Sequence, residues 1–257
     1  MRHPSVVKAA LGAAVACFGL SVAASAQSVG VNFVGGGGPN PGSSLAPTDI
    51  AGVVPQAHFN NATGASGTLS GLLDSSGNNS GATLTFSSPN TWSSGTSTAT
   101  PNGALLNGYI DSGGSAATGA TVTVTNVPFK AYDLIVYFNT DNTGSARVGD
   151  YEVVTPGGTL TQQVSYINSS SLILAPPYPD NSVPTTATTL GGTWLMFPGL
   201  TSSTLTLKTD QASLPGVNFR APISGFQLYG IAPEPASLGT VVALGGLALG
   251  RSRRRTD

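Results

Sequence analysis

The chain has 257 residues, room for one all-β domain or two small ones, and only 8% of them are Asp, Glu, Lys or Arg, against about 25% in ordinary soluble domains. Its formal charge of −1 hides basic ends: Arg2, Lys8, Arg251, Arg253, Arg254 and Arg255 are terminal, while the stretch between holds four basic side chains against nine acidic ones. A body whose cations are Lys130, Arg147, Lys208 and Arg220 has no basic stripe to follow a phosphate backbone, which excludes nucleic acid as a partner.

Residues 1–26 read as a secretory signal peptide. Arg2, His3 and Lys8 form a basic start, Ala9 to Val22 an apolar stretch, and Ala24-Ser25-Ala26 an A-x-A site, so cleavage through recognition of Ala24 and Ala26 is expected before Gln27. Cys17, the single cysteine, lies inside this leader. The processed body would then carry no thiol, disulfide or thiolate metal site, which is compatible with a bacterial envelope.

From Ser28 onward, short apolar alternations separated by Gly, Pro, Asn and Ser clusters predict strands. They are expected at 29–33, 82–86, 120–125, 132–138, 150–155, 160–167, 193–197, 204–208 and 225–231. The run Tyr132 to Phe138 is nearly continuous in apolar residues, as a central strand buried on both faces requires. Residues 127–131 read as a short turn between two strong strands. Residues 35–48, 62–81 and 93–119 read as Gly/Ser-rich excursions, simple solvent-exposed connections rather than ligand loops. No sustained 3.6 period interrupts the pattern within 27–231. The expected fold is all-β: an antiparallel β-sandwich or jelly roll with long Gly/Ser-rich loops.

Catalytic chemistry finds little to use. His58 is the one histidine of the body and no G-x-S-x-G accompanies it, so it reads as a packed or solvated side chain. Glu152 is the body's one glutamate, and no spacing nominates a pair of carboxylates for glycoside hydrolysis. The chain is expected not to be an enzyme and to hold no cofactor. The alternative is calcium at Asn139, Asp141 and Asp150, where oxygen side chains alternate before Gly144; an Asx-capped turn explains the same residues and the far bidentate acid is missing. For sugar binding, aromatic rings would stack while Asn, Asp and Arg take hydroxyls. Trp92 and Tyr109 are the ligand-facing candidates, with Tyr178 also available, and Trp194 reads as core.

The C-terminus carries Pro233-Glu234-Pro235, an apolar run from Leu238 to Leu249 and then Arg251, Arg253, Arg254 and Arg255. The run is shorter than the roughly 20 residues that comfortably span a bilayer, its glycines make it a weak short helix, and the arginines resist translocation and hold the end in the cytoplasm. The prolines keep the preceding segment extended and readable by a protease.

This order of motif, spacer, apolar run and arginine cluster closely resembles the PEP-CTERM sorting signal of bacteria. The resemblance implies processing at or near Pro233-Glu234-Pro235 by an exosortase-type membrane enzyme, with transient residence in the inner membrane and association with exopolysaccharide and biofilm. More loosely, the Thr/Val strand, short turn and Tyr-Asp-Leu-Ile-Val-Tyr strand, with the closing stretch at 220–228, look like a carbohydrate-binding or galactose-binding-like jelly roll. The expected organisation is a signal peptide (1–26), a β-sandwich body (27–231) and a sorting tail (232–257). The expected role is that of an exported cell-surface or extracellular-matrix protein, structural or adhesive. The alternatives are a carbohydrate-binding module whose partner is polysaccharide and a secreted carbohydrate-active enzyme.

Overall fold

A computed structural model of the chain describes residues 27–113, 119–143, 147–176, 191–210 and 220–231. They lie within one compact unit, Ala26–Pro233. The expected signal peptide and sorting tail fall outside them. Among the described residues no helix is long and apolar enough to cross a membrane.

Two sheets make the body. The first has five strands in the order β11 (Trp194–Leu200), β8 (Tyr132–Tyr137), β13 (Gly225–Gly230), β1 (Ser28–Phe33) and β2 (Asn60–Ala62). The second has six, in the order β10 (Gly158–Tyr166), β9 (Arg147–Thr155), β12 (Thr204–Asp210), β7 (Thr121–Thr125), β4 (Thr83–Ser87) and β3 (Ser66–Ser70). A two-stranded ribbon, β5 (Asn90–Ser93) with β6 (Gly108–Asp111), and one short helix, α1 (Pro101–Asn107), complete the description. Neighbouring strands run antiparallel except β1 and β2, which are parallel. All nine expected strands are present.

Strict alternation places the inward residues. In β7, Val122 and Val124 are buried while the threonines between them face out. Val29, Val31 and Phe33 of β1 meet Leu84 and Phe86 of β4 across the gap between the sheets, with the Phe33 and Phe86 rings edge-on at 5.2 Å. Phe138 stacks on Tyr151 at 5.0 Å in the same core. Two faces sharing one apolar core define a sandwich.

The nearly continuous apolar run of β8 is explained by a second layer. Leu134, Val136 and Phe138 enter the core between the sheets, while Ile135 and Tyr137 point the other way into a smaller cluster with Leu45, Ala51, Phe59, Leu105 and Leu106. That outer layer comes from the long connection 34–59 and from α1. The helix starts where the sequence allows it to: Thr100 accepts a hydrogen bond from the Gly103 amide at 3.1 Å, and Pro101 occupies the first turn.

A buried polar network fastens the layer to the sheet. The Tyr137 hydroxyl donates to Gln227 Oε1 and accepts from the Val53 amide at 2.8 Å. Gln227 Nε2 donates to the Val54 carbonyl at 2.8 Å and to Gln56 Oε1 at 2.7 Å. Gly52, at φ +92°, sits so close to the Gln227 amide that a side chain there would collide with it.

Two readings of the sequence are corrected. Residues 62–81 are not simply a loop, because β3 pairs with β4; residues 93–119 contain α1 and β6. These elements are too short and too poor in apolar residues to announce themselves, and the pairing or the covered sheet face holds them. Residues 127–131 are the short connection expected between two strong strands. They carry the chain from β7 in one sheet to β8 in the other.

Gln227 is fully buried, so replacing it with leucine leaves the Val54 carbonyl and the Gln56 side chain without their partner. Gln227→Leu is expected to cost about 2–3 kcal/mol, lowering the thermal midpoint by roughly 5–10 °C. Unfolding followed by circular dichroism measures it; an unchanged midpoint would mean that the network does not fasten the layer.

Candidate functional site

The strand directions sort the connections by end. Those after β1, β4, β6, β8, β10 and β12 leave from one end of the sandwich, and these include the longest; turns such as 156–157 and 201–203 sit at the other. The loop end gathers both arginines of a charge-poor body.

Its frame is the β5–β6 ribbon. In this antiparallel pair Asn90 lies opposite Asp111 and Trp92 opposite Tyr109, so the four side chains project from one face. Asn90 Nδ2 and the Gly113 amide both donate to Asp111 Oδ1, each at 2.9 Å. Arg220, just before β13, places Nε 3.4 Å from Asp111 Oδ2 and Nη1 3.6 Å from Asp141 Oδ1. Arg147, opening β9, reaches the same Asp141 oxygen at 4.0 Å. Arg147 and Arg220, the two arginines of the body, therefore converge on two aspartates, one of which is wholly buried.

Burial dominates the electrostatics. It pushes the Asp111 carboxyl above the usual carboxylate range, with the Asp141 charge adding to the rise; the Asn90 and Gly113 hydrogen bonds and the Arg220 guanidinium offset part of it. The neighbouring phenols Tyr109, Tyr151 and Tyr166 are raised as well, Tyr166 up to about 12, chiefly by desolvation. These tyrosines stay neutral across the working pH range and are not bases.

The sequence candidates are placed as follows. Trp92 is half-buried, and the backbone of Gly38 lies against its indole. Tyr109 is 1% exposed, which corrects its reading as a ligand-facing ring: it lies beneath the surface beside the Asp111 and Asp141 charges. Trp194 is half-buried against the outer apolar layer, and Tyr178 lies outside the described residues. Asn139 is fully buried, and its amide is committed to protein: Nδ2 donates to the Leu106 and Ser169 carbonyls at 2.8 Å, while Oδ1 accepts from the Thr140 and Ser169 amides. It ties the β8–β9 connection to α1 and to the stretch after β10, which corrects its reading as a cation ligand. Asp141 faces the two arginines, and Asp150 pairs in register with Gln163 in the β9–β10 hairpin. Among the described residues no cluster of three or more His, Cys, Asp or Glu side chains is assembled. His58 holds φ +58° with its ring beside Gly77. Asn90 and Asp111, which frame the site, were missed by sequence reasoning; the available signal was that both arginines of a nearly uncharged body sit at strand boundaries.

Chemically, this arrangement suits holding rather than reacting. Asp111 and Asp141 share one arginine, and Asp111 has no exposed surface from which to exchange a proton with a substrate. The accessible groups are Asp141, Arg147 and Arg220, held by ion pairs, with the half-buried Trp92 two residues along the ribbon from Asn90. At the opposite end, the turns 155–160 and 199–202 bound a groove of about 450 Å³ lined by Thr, Ser, Gly, Pro and Leu, without a titratable side chain.

Arg220→Met would strand the buried Asp111 carboxylate. The expected cost is about 3 kcal/mol at neutral pH. A carboxyl whose folded-state pKa is raised binds its proton more tightly when folded, so its contribution is best at acid pH and is lost as pH rises through the raised value. The Arg220→Met penalty should accordingly be smaller at pH 5 than at pH 8, and Asp111→Asn in the same background should remove that difference. Urea unfolding at the two pH values decides it; a penalty independent of pH would rule out the stranded charge.

No protein-family model matches the chain, and no curated protein does. Among solved structures, CBM32-3, a module of a family 31 glycoside hydrolase from Clostridium perfringens, is similar over 57% of this chain and 91% of its own, at 13% identity and a TM-score of 0.30. A likeness at that level carries no argument about this chain.

Proposed function

We propose that the chain is an exported, non-enzymatic cell-surface or extracellular-matrix protein whose sandwich body holds polysaccharide at its loop end. The observation that carries the binding reading is the β5–β6 ribbon, which sets the partly exposed indole of Trp92 on the same face as the Asn90–Asp111–Arg220 cluster. Sugar recognition asks for an aromatic surface for the C–H face of a ring together with fixed donors and acceptors for its hydroxyls. Here the donors are held in place by ion pairing and the aromatic is backed by Gly38. A jelly-roll topology of the carbohydrate-binding kind belongs to the same reading. Export rests on the sequence alone: the A-x-A leader, Pro233-Glu234-Pro235 as the processing site of an exosortase-type enzyme, and the arginine cluster that pauses the tail in the inner membrane.

Two measurements test the two halves separately. Mobility of the protein through native gels containing its host's exopolysaccharide should be retarded, and Trp92→Ala should weaken that retention about tenfold or more while circular dichroism shows the variant still folded at the temperature of the gel. Equal retention of the variant would remove Trp92 from the site. Intact mass and fractionation from the native host should find a surface-associated protein lacking both the leader and the tail. Deletion of 233–257 should abolish that location; an intact tail persisting in the inner membrane would make the segment an anchor instead.

A further inference from the structure

The two sheets end very differently. In the five-stranded sheet both edges are closed to further pairing. β11 carries Pro198 and a register break between Phe197 and Leu200, and the stretch 173–175 pairs alongside its start. β2 is three residues long, and the Asn60 side chain plugs its flank by bonding Leu73 through both N–H and C=O. Prolines, bulges, short strands and covering loops are the devices by which sheet edges are kept from pairing with other chains.

Among the described residues, the outer strands of the six-stranded sheet carry no proline and no register break, and they are open along β3 and along the first part of β10. β3, Ser66–Ser70, reads Ser-Gly-Thr-Leu-Ser, without charge or proline, and all its residues but Leu69 are exposed. At the far side, the last part of β10 is covered where Tyr166 and Ile167 meet Gly192, but Gly158 to Thr161 are exposed, again without charge or proline. The two edges even share a local sequence, Gly67-Thr68-Leu69 and Gly158-Thr159-Leu160. Every pairing between them in the sheet is antiparallel, and with six strands β3 and β10 run in opposite directions. A second copy in the same orientation therefore brings its β10 antiparallel to β3, and the sheet continues across the junction.

We propose that copies of this chain associate head to tail through these two edges, β3 of one against the exposed half of β10 in the next. The contact is heterologous, so it leaves a free edge at each end and extends rather than closes. Neither edge carries charge, so the negative charge of the body opposes the contact only at long range and salt should favour it. A junction of four or five residues a side buries far less than the roughly 1,000 Å² of a stable interface. Each link is consequently weak, and assembly belongs to high local density, such as a crowded surface layer. This inference does not depend on the glycan reading.

The test uses the full chain released from its host, in sedimentation equilibrium over a concentration series, with Thr68→Lys and Thr159→Lys as separate edge-guarding variants. Both positions are exposed, and unchanged thermal midpoints verify that the variants fold. The wild type should gain mass continuously with concentration, and more so at 200 mM than at roughly 20 mM salt. Each variant should lose association at least tenfold. An equimolar mixture of the two should recover dimers and stop there, because each keeps the edge that the other lacks. A wild type that stays monomeric at millimolar concentration would overturn the proposal. So would a Thr159→Lys variant that associates like wild type, which indicates a closed two-fold contact, or a mixture that fails to recover.

Discussion

β8 has no face to give to water, and most of the architecture follows from that constraint. Its even-numbered positions belong to the core between the sheets and its odd ones, Ile135 and Tyr137, to a second cluster. A strand buried on both faces obliges the chain to provide a cover for its outer side, and the 34–59 connection and α1 are that cover. Their own sequences are too polar and glycine-rich to pack by apolar contact alone. The Tyr137–Gln227–Gln56 network supplies the specificity, because a misplaced cover would leave several buried amides unpaired.

What could be read from the sequence divides along the same line. Alternation in Val122-Thr123-Val124 or Leu205-Thr206-Leu207 is a local signal, and all nine strands with it were legible. β3 and β6 were not: Ser66–Ser70 has a single apolar residue, and Gly108–Asp111 follows directly on a helix of two turns. Their conformation is imposed by β4 and β5, and a partner strand leaves no trace in the sequence it recruits. The site was legible only in part. Trp92 stood out as an aromatic in a polar stretch, but its strand mate Tyr109 is covered, and nothing local to Asn90 or Asp111 foretold Arg220 more than a hundred residues away.

Scarcity of charge gives the loop end its character. In a protein with an ordinary surface, an Arg–Asp–Arg cluster would be one of many; here it holds both arginines of the body. The cost of burying Asp111 is offset by two hydrogen bonds and a guanidinium, an arrangement that favours a fixed geometry over a mobile one. Apart from Lys208 opposite Glu152, the same scarcity leaves much of the outer face of the six-stranded sheet to threonine, in ladders such as Thr85–Thr123–Thr206. Hydroxyls satisfy water without repelling a neighbouring molecule, and this distinguishes the sheet from one defended by lysines.

The adjacency of the first and last strands has a mechanical consequence. Ser28 lies opposite Tyr229, and Ile231 leaves the sandwich beside Gln27, at the end away from the long loops. A load applied through the chain beyond Ile231, with the loop end held, would run along the axis of β13. That strand is flanked on both sides, by β8 and by β1, and its antiparallel hydrogen bonds lie across the direction of pull. They would be loaded together in shear instead of opening one after another, so the last strand of the fold is also the one best placed to bear tension.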